Sequence, residues 1–411
     1  MSRLWAFALA GLLLSAGATR AQDTIKIGYS EILSGVFAQI GDQGIKSIQF
    51  AIDQVNARGG VLGKKLELVA FDNKGQPAEA LIMLQKMVDE NLSIMMMNCG
   101  PSNIGAALIP AVEKNNQRDP NHRIVLVNCG ALAPELTNDL CSFWHFRTAG
   151  HAGMQAEVMV RALPKTVTKV YMINQDYLFG QSAHRDLKLF LAKMRPDIQI
   201  VGEDMIPLGK VKDFSSYVAK IKSSGANALL TGNWGADLTL LIKAGMDSDL
   251  PVEYHTMLGH LAGTPTAIGP GGDGRVHSVL SFHENVGVEK NDPKINAMVE
   301  SFRAKFDFDF IFGDRYAAIQ LIAEAIKKAG STDAMKVALA MENLSITDAA
   351  GDTATMRAED HQIQMTYYGA VFTKGQKYDS EKTGLGWKTS ALIKAADTAQ
   401  PTTCKMKRPA S

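Results

Sequence analysis

The sequence predicts an α/β protein built as two doubly wound halves, and three features predict it. Short runs rich in Val, Ile and Met alternate with longer segments of helical periodicity. That alternation closes near residue 148 and then restarts. The chain, at 411 residues, is also longer than one hydrophobic core usually serves, which favours two domains.

The first unit is a β-branched strand (Ile25–Ser30), a Ser34-Gly35 loop and a helix with apolar residues at Ile45, Ile48, Ile52 and Val55. Gly59-Gly60 ends that helix, and a second strand follows over Leu66–Phe71. Strand, crossover helix and strand make a βαβ unit. Its first loop lies at the carboxyl end of a strand, where open α/β sheets bind ligands. A helix over 78–90 carries Leu81, Leu84 and Val88. The run 93–98 reads as a buried parallel strand, with its methionines as core. Helix 103–115, strand 124–128 and a turn at Pro134 come next, and Phe143–Thr148 closes the first series.

The second series opens with helix 151–163. Its strands are expected at 169–174, 198–205, 227–231, 252–257 and 276–282, with helices 180–194, 213–223 and 236–245 between them. Helices 293–306, 314–329 and 333–342 follow, the middle one striped by Tyr316, Ile319, Ala323 and Ile326. A strand over Gln364–Thr373 and an irregular polar tail complete the expectation.

Ahead of these elements stand Arg3, an uncharged apolar run from Leu4 to Leu14, and small residues at Ala16-Gly17-Ala18 and Thr19-Arg20-Ala21. This pattern reads as a cleaved secretory leader over 1–21. The run is shorter than the about 20 apolar residues a membrane-spanning helix needs. No Cys follows it, which argues against a lipid anchor. The expectation is a secreted protein, periplasmic in a cell with two membranes, and not inserted in either. Losing Arg3 and Arg20 turns a net charge of +1 into −1, and no basic run is long enough to track phosphates. Nucleic acid is therefore not an expected partner.

Catalytic signatures are missing. GxSxG, GxGxxG and Walker A patterns do not occur. Gly269–Gly274 is glycine-rich but opens no phosphate-binding helix, so it reads as a surface turn. His255 and His260, five apart, do not share a helical face, and no HExxH occurs. The pairs His283-Glu284 and Asp360-His361 have no nucleophile nearby and read as hinge-adjacent or surface polar groups. No catalytic set, cofactor or metal site is expected. The four cysteines (Cys99, Cys129, Cys141, Cys404) show no CxxC spacing, so neither a zinc site nor a redox motif is supported. An oxidising compartment permits one or two bridges. Cys99 and Cys129 each close an expected strand and read as small buried apolar residues.

Three stretches carry a family resemblance. Val55-Asn56-Ala57-Arg58-Gly59-Gly60-Val61-Leu62-Gly63 resembles the "hNxxGGhxG" helix end of the leucine/isoleucine/valine-type periplasmic receptors of ABC importers. Asn128–Thr137 resembles their "SPGAT-PELT" loop, and Thr355–Gln362 a tract near their last crossing. The resemblance spans roughly residues 24–375. It implies the type I periplasmic binding fold, with two Rossmann-like lobes joined by three hinge crossings. Lobe 1 is then 22–146 and 283–345, and lobe 2 is 147–282 and 346–411, including the tail. The third crossing is expected near Ser345–Thr353. The implied role is that of a monomeric, non-enzymatic receptor that captures a small solute and hands it to permease subunits. A ligand sensor of the same fold, serving chemotaxis or signalling, is the alternative.

The resemblance also implies a site. Ile40 falls where leucine receptors carry an aromatic side chain on the ligand. Ser102 either caps helix 103–115 or, with the free N–H groups from Asn103 onward, accepts a carboxylate. The backbone of Gly130-Ala131 faces the ligand. Phe179 replaces a second-lobe Tyr, and Asn233-Trp234 falls on an aromatic pair. Two departures stand out. Leu132 occupies the place of a Thr, and Leu258 that of the acidic residue that receives the ligand ammonium. No carboxylate lies anywhere in 254–272. A buried ammonium without a partner costs several kcal/mol. The expected ligand is therefore a carboxylate with an apolar body, an aromatic or branched 2-oxo or simple acid, ahead of leucine, isoleucine or valine. Similar receptors often carry Cys at the positions of Cys141 and Cys404, which implies that bridge. The residues alone leave Cys99–Cys129, or four free thiols, open.

Overall fold

The computed structural model describes residues 24–97 and 100–409, so the expected leader and Cys99 lie outside the described residues. The first sheet holds five parallel strands in the order β2-β1-β3-β4-β5. They are β1 (Thr24–Glu31), β2 (Lys65–Asp72), β3 (Ile94–Met97), β4 (Val125–Asn128) and β5 (His145–Arg147). Helices α1 (Ala38–Ala57), α2 (Pro77–Asp89) and α3 (Ser102–Arg118) connect them. All four residues of β3 are buried, which fits a parallel strand covered on both faces.

The chain then builds a second sheet through α4 (Ala152–Ala162), β6 (Lys169–Gln175), α5 (Leu178–Met194), β7 (Gln199–Ile206) and α6 (Ser215–Ser224). It continues with β8 (Ala228–Thr231), α7 (Gly235–Asp247), β9 (Glu253–Thr256), α8 (Thr264–Ile268) and β10 (Val276–Leu280). Helices α9 (Val286–Glu289), α10 (Pro293–Phe306), α11 (Gly313–Ala329) and α12 (Ala334–Met341) follow, and α11 packs back on α1. Next comes a small sheet of β11 (Ser345–Thr347), β12 (Thr353–Met356) and β13 (Ile363–Gln364). Finally β14 (Tyr367–Lys374) and β15 (Leu385–Ile393) join the second sheet antiparallel, giving the order β15-β14-β10-β9-β8-β6-β7, and α13 (Ala395–Thr398) precedes the tail. The fold is the expected one: two α/β lobes joined by three crossings.

Two details differ from the sequence expectation. The small sheet lies against the first lobe. Arg147 donates its backbone N–H to the His361 carbonyl at 2.8 Å, and the His361 ring stacks on Phe146 of β5 at 3.9 Å. Buried Ile346, Ala354, Met356 and Ile363 hold it there. The third passage between sheets thus falls just after β13, later than Ser345–Thr353. The tail is also not irregular throughout. β15 pairs along β14, with Leu385, Gly386 and Trp387 buried and the residues after them alternating toward solvent. Beyond it the chain returns to the first lobe, where Cys404 is bonded to Cys141 with Cα atoms 5.7 Å apart. Among the described residues, no helix is long and apolar enough to cross a membrane.

Candidate functional site

The carboxyl ends of the parallel strands of both sheets face each other across a cleft that holds two adjoining cavities. One is aromatic. Gly100, Ser102, Gly130 and Leu132, from the loops after β3 and β4, form its first-lobe wall. Tyr177, Phe179, Trp234, Leu258 and Leu261, from the loops after β6, β8 and β9, form the other. The second cavity shares Gly130, Leu132, Leu258 and Leu261 and runs toward the hinge. There it meets residues at or beside all three crossings: Ala149, Gly150 and Gln155; Ile311, Phe312 and Asp314; and Tyr367. The volumes are small, ≈ 40 Å³ on the hinge side and ≈ 10 Å³ on the aromatic side. Ligand pockets are typically about 300–1,000 Å³. Neither cavity as it stands holds a ring-bearing solute.

Six of the ten residues singled out from the sequence line the cleft: Ser102, Gly130, Leu132, Phe179, Trp234 and Leu258. Ala131 is buried behind the wall. Asn103 is exposed on α3 and lines neither cavity. Ile40 is buried near Gly235 but lines neither cavity. The ring that reaches across the cleft from this loop belongs to Phe37, against Trp234. Asn233 is fully buried, and neither polar atom of its side chain has a hydrogen-bond partner among the described residues.

The anion-binding details differ from the expectation. Pro101, not Ser102, occupies the N-cap of α3, and no side chain caps it. The Ser102 hydroxyl oxygen instead accepts from the Ala133 N–H at 3.2 Å. The N–H groups of Gly130 and Ala131 both donate to Asn128 Oδ1, at 3.1 and 2.8 Å, so neither is left for a ligand. An Asn followed by Cys-Gly-Ala is a side-chain-to-backbone turn readable in sequence.

What the loop offers instead is charge. Arg147, fully buried, grips its inner side by donating to the carbonyls of Ala131 (3.3 Å) and Ala133 (2.6 Å), and also to Gln362 Oε1 (2.6 Å) and Thr137 Oγ1. Burial pushes its pKa down to about 9, which leaves it cationic at neutral pH. Its hydrogen-bond partners are all neutral, while the Asp360 and Glu135 carboxylates lie close enough to act on its charge. Toward the hinge lies a second buried arginine, Arg315, 3.3 Å from Asp314 Oδ1 and stacked on the Phe312 ring. Asp314 is the carboxylate that sequence reading missed, and burial raises its pKa. His260, on the same wall, is pushed down to about 3 by burial and by Arg315, so it is neutral. Glu31, deeper in lobe 1, accepts from Tyr29 Oη and the Ile32 N–H, both at 2.6 Å, and burial raises it to about 7.

A cleft at the strand ends of two hinged α/β lobes is the architecture of a solute-binding protein. The family model described as "Periplasmic binding protein" matches residues 24–377, and the chain belongs to that family. Its members bind substrates rather than transform them, so the protein is not an enzyme. Among relatives, the chain is 27% identical to the Leu/Ile/Val-binding protein homolog 4 of Brucella melitensis over 414 residues, covering 98% of this chain and 97% of that one. The closed crystal structure of the leucine-, isoleucine-, valine-, threonine- and alanine-binding protein of Brucella ovis superposes with a TM-score of 0.84 at 25% identity, covering 94% and 100% of the two chains. A solute-binding protein from Rhodopseudomonas palustris HaA2, solved with p-hydroxybenzoic acid, gives 0.76 at 20% identity and 91% and 98% coverage.

Proposed function

We propose that this receptor captures one small carboxylate with an apolar, ring-sized body, closes its lobes on it, and presents it to the permease of an ABC importer. One observation carries the reading. The buried, cationic Arg147, hydrogen-bonded only to neutral groups with the Asp360 and Glu135 carboxylates further out, stands behind Gly130–Leu132, while Leu258 and three aromatic rings face it across the cleft. A carboxylate near the Ser102 hydroxyl gains from that charge, and Tyr177, Phe179 and Trp234 offer faces to a ring. Aromatic contacts of this kind contribute ~0.5–1.5 kcal/mol beyond burial. Closure is favoured only insofar as the ligand binds the closed form better. The moving bodies are the two sheets with their helices, hinged at 148–151, 281–312 and 365–366. Cleavage of the leader over 1–21 and release into the periplasm as a monomer complete the proposal.

The neighbour that carries p-hydroxybenzoic acid is too distant in sequence to transfer its ligand. The reading rests on this chain's own residues. A second reading, an aliphatic α-amino acid, is favoured by the names of the relatives and by Asp314, which lines the hinge-side cavity and offers an ammonium a partner.

Calorimetry on ligand-stripped protein with leucine, phenylalanine, benzoate, 4-hydroxybenzoate and phenylpyruvate separates the two. The carboxylate reading expects the acids to bind and leucine to be weak. Submicromolar leucine binding with none for the acids overturns it.

A further inference from the structure

Away from the cleft walls, strands β9 and β10 bring three ligand-type side chains to one face of the second sheet. His255 and His277 are register partners, and their rings stack with centroids 4.5 Å apart. Glu253, two residues before His255, shares that face. Its Oε2 lies 3.3 Å from His255 Nε2 and 3.6 Å from His277 Nε2. One donor atom from each of the three residues falls within 4.8 Å of the others. We propose that Glu253, His255 and His277 bind one divalent transition-metal ion of the Zn²⁺ type.

The distances fit that ion. Two ligand atoms about 2.0–2.1 Å from a tetrahedral centre stand about 3.3 Å apart. The two carboxylate–imidazole separations lie at or just above that value, and the rings, stacked within 9° of parallel, must turn out of the stack for both Nε2 lone pairs to meet on one ion. Two imidazoles and a carboxylate suit zinc or copper, whereas calcium and magnesium prefer all-oxygen cages. His277 Nε2 is buried and has no hydrogen-bond partner. The set is still reachable from solvent, since the Glu253 side chain is 33% exposed and that of His277 18%. A water completes the fourth position.

The surroundings do not compete. The same row of the sheet holds Leu230 on one side of the pair, and Val371 and then Lys388 on the other. Met159 and Ala162 of α4 cover it. Neutral imidazole is the form that ligates a metal. Such an ion ties β9 to β10 just before the Met257–Leu261 loop that walls the cleft. It is independent of which solute the cleft takes.

The test is titration of ZnCl₂ into untagged, chelator-treated protein by calorimetry, with Cu²⁺ as a spectroscopic probe for nitrogen ligation. One ion per chain is expected, weakened at least tenfold in both His277→Gln and Glu253→Gln. Circular dichroism of each variant without metal checks the fold. Should His277→Gln fail to fold, Glu253→Gln, at the half-buried start of β9, decides. No zinc binding, or binding unchanged in the folded variants, overturns the proposal.

Discussion

The ring of Phe37, at the start of α1, lies 4.5 Å from that of Trp234, at the start of α7, tilted by 32°. These residues belong to opposite lobes, so the pair spans the cleft. The second lobe holds its half rigidly. Trp234 Nε1–H donates to Tyr177 Oη at 2.7 Å, and its carbonyl accepts from Gln175 Nε2 at 3.1 Å. Gln175 in turn donates to Asp237 Oδ2 at 2.7 Å. Gly235 has φ +58°, and a Cβ there would sit 2.7 Å from Phe37 Cδ1, so both the turn and the approach of the ring require glycine.

Phe37→Ala should therefore favour the open form. An aromatic pair contributes ~0.5–1.5 kcal/mol, so ligand affinity should fall roughly 2- to 13-fold. Small-angle scattering should show a larger radius of gyration at subsaturating ligand, while thermal stability without ligand changes little. Unchanged affinity and compaction would mean that the contact does not report on closure.

Phe37 also shows where sequence reading stopped. The family pattern drew attention to Ile40, one helical turn further on, and nothing in local periodicity says which of two neighbours crosses a cleft made by residues 200 positions away. The strands and helices were legible because burial on both sheet faces imposes continuous apolar runs such as Ile94–Met97. β15 was not, because an edge strand buries only Leu385, Gly386 and Trp387 and otherwise alternates polar residues toward water. Arg147 was hidden for another reason. Its partners lie at 131, 133, 137 and 362, so its role as the loop's anchor exists only in three dimensions.

Acid should destabilise the protein through its buried histidines. His283 is 2% exposed and held by Thr389 Oγ1 at 2.8 Å, and burial pushes its pKa from 6.5 to about 3. The unfolded chain takes up this proton from pH ~6.5 downward, whereas the folded one resists until about pH 3. The group's contribution is thus complete above pH 6.5 and is lost as pH falls toward 3. At pH 5 the loss is on the order of 2 kcal/mol relative to pH 7. Urea unfolding of His283→Gln at both pH values should show a correspondingly shallower acid dependence than the parent. Parallel pH profiles would show that His283 is not the buried titrating group.

The Cys141–Cys404 bond closes a span of 263 residues that contains the whole second lobe. The chain-entropy model assigns such a loop about 5 kcal/mol, a figure real proteins often fall below. Cys404→Ser should lower the melting temperature and, on this basis, the urea midpoint. Because both cysteines sit on the first-lobe side, with Thr403 N–H donating to Asn138 Oδ1 at 3.0 Å, ligand affinity should stay within about twofold, well under 1.4 kcal/mol. Non-reducing peptide mapping checks the pairing itself, and a free thiol at Cys404 in secreted protein would contradict it.

Leu258 offers the sharpest test of specificity because it lines both cavities and faces the loop anchored by Arg147. Leu258→Glu puts a carboxylate on the wall shared by both cavities. If the cleft takes simple carboxylates, that charge repels them, and benzoate-type affinity should fall by tenfold or more, about 1.4 kcal/mol per decade. Leucine affinity should rise at the same time, since its ammonium gains a partner. Leu258→Gln, similar in size but neutral, separates charge from bulk and should leave the ranking of acids over leucine unchanged. The opposite outcome is equally readable. A parent that already binds leucine tightly, loses it in Asp314→Asn and gains nothing in Leu258→Glu seats the ammonium toward the hinge, beside Asp314, and excludes the simple-carboxylate reading.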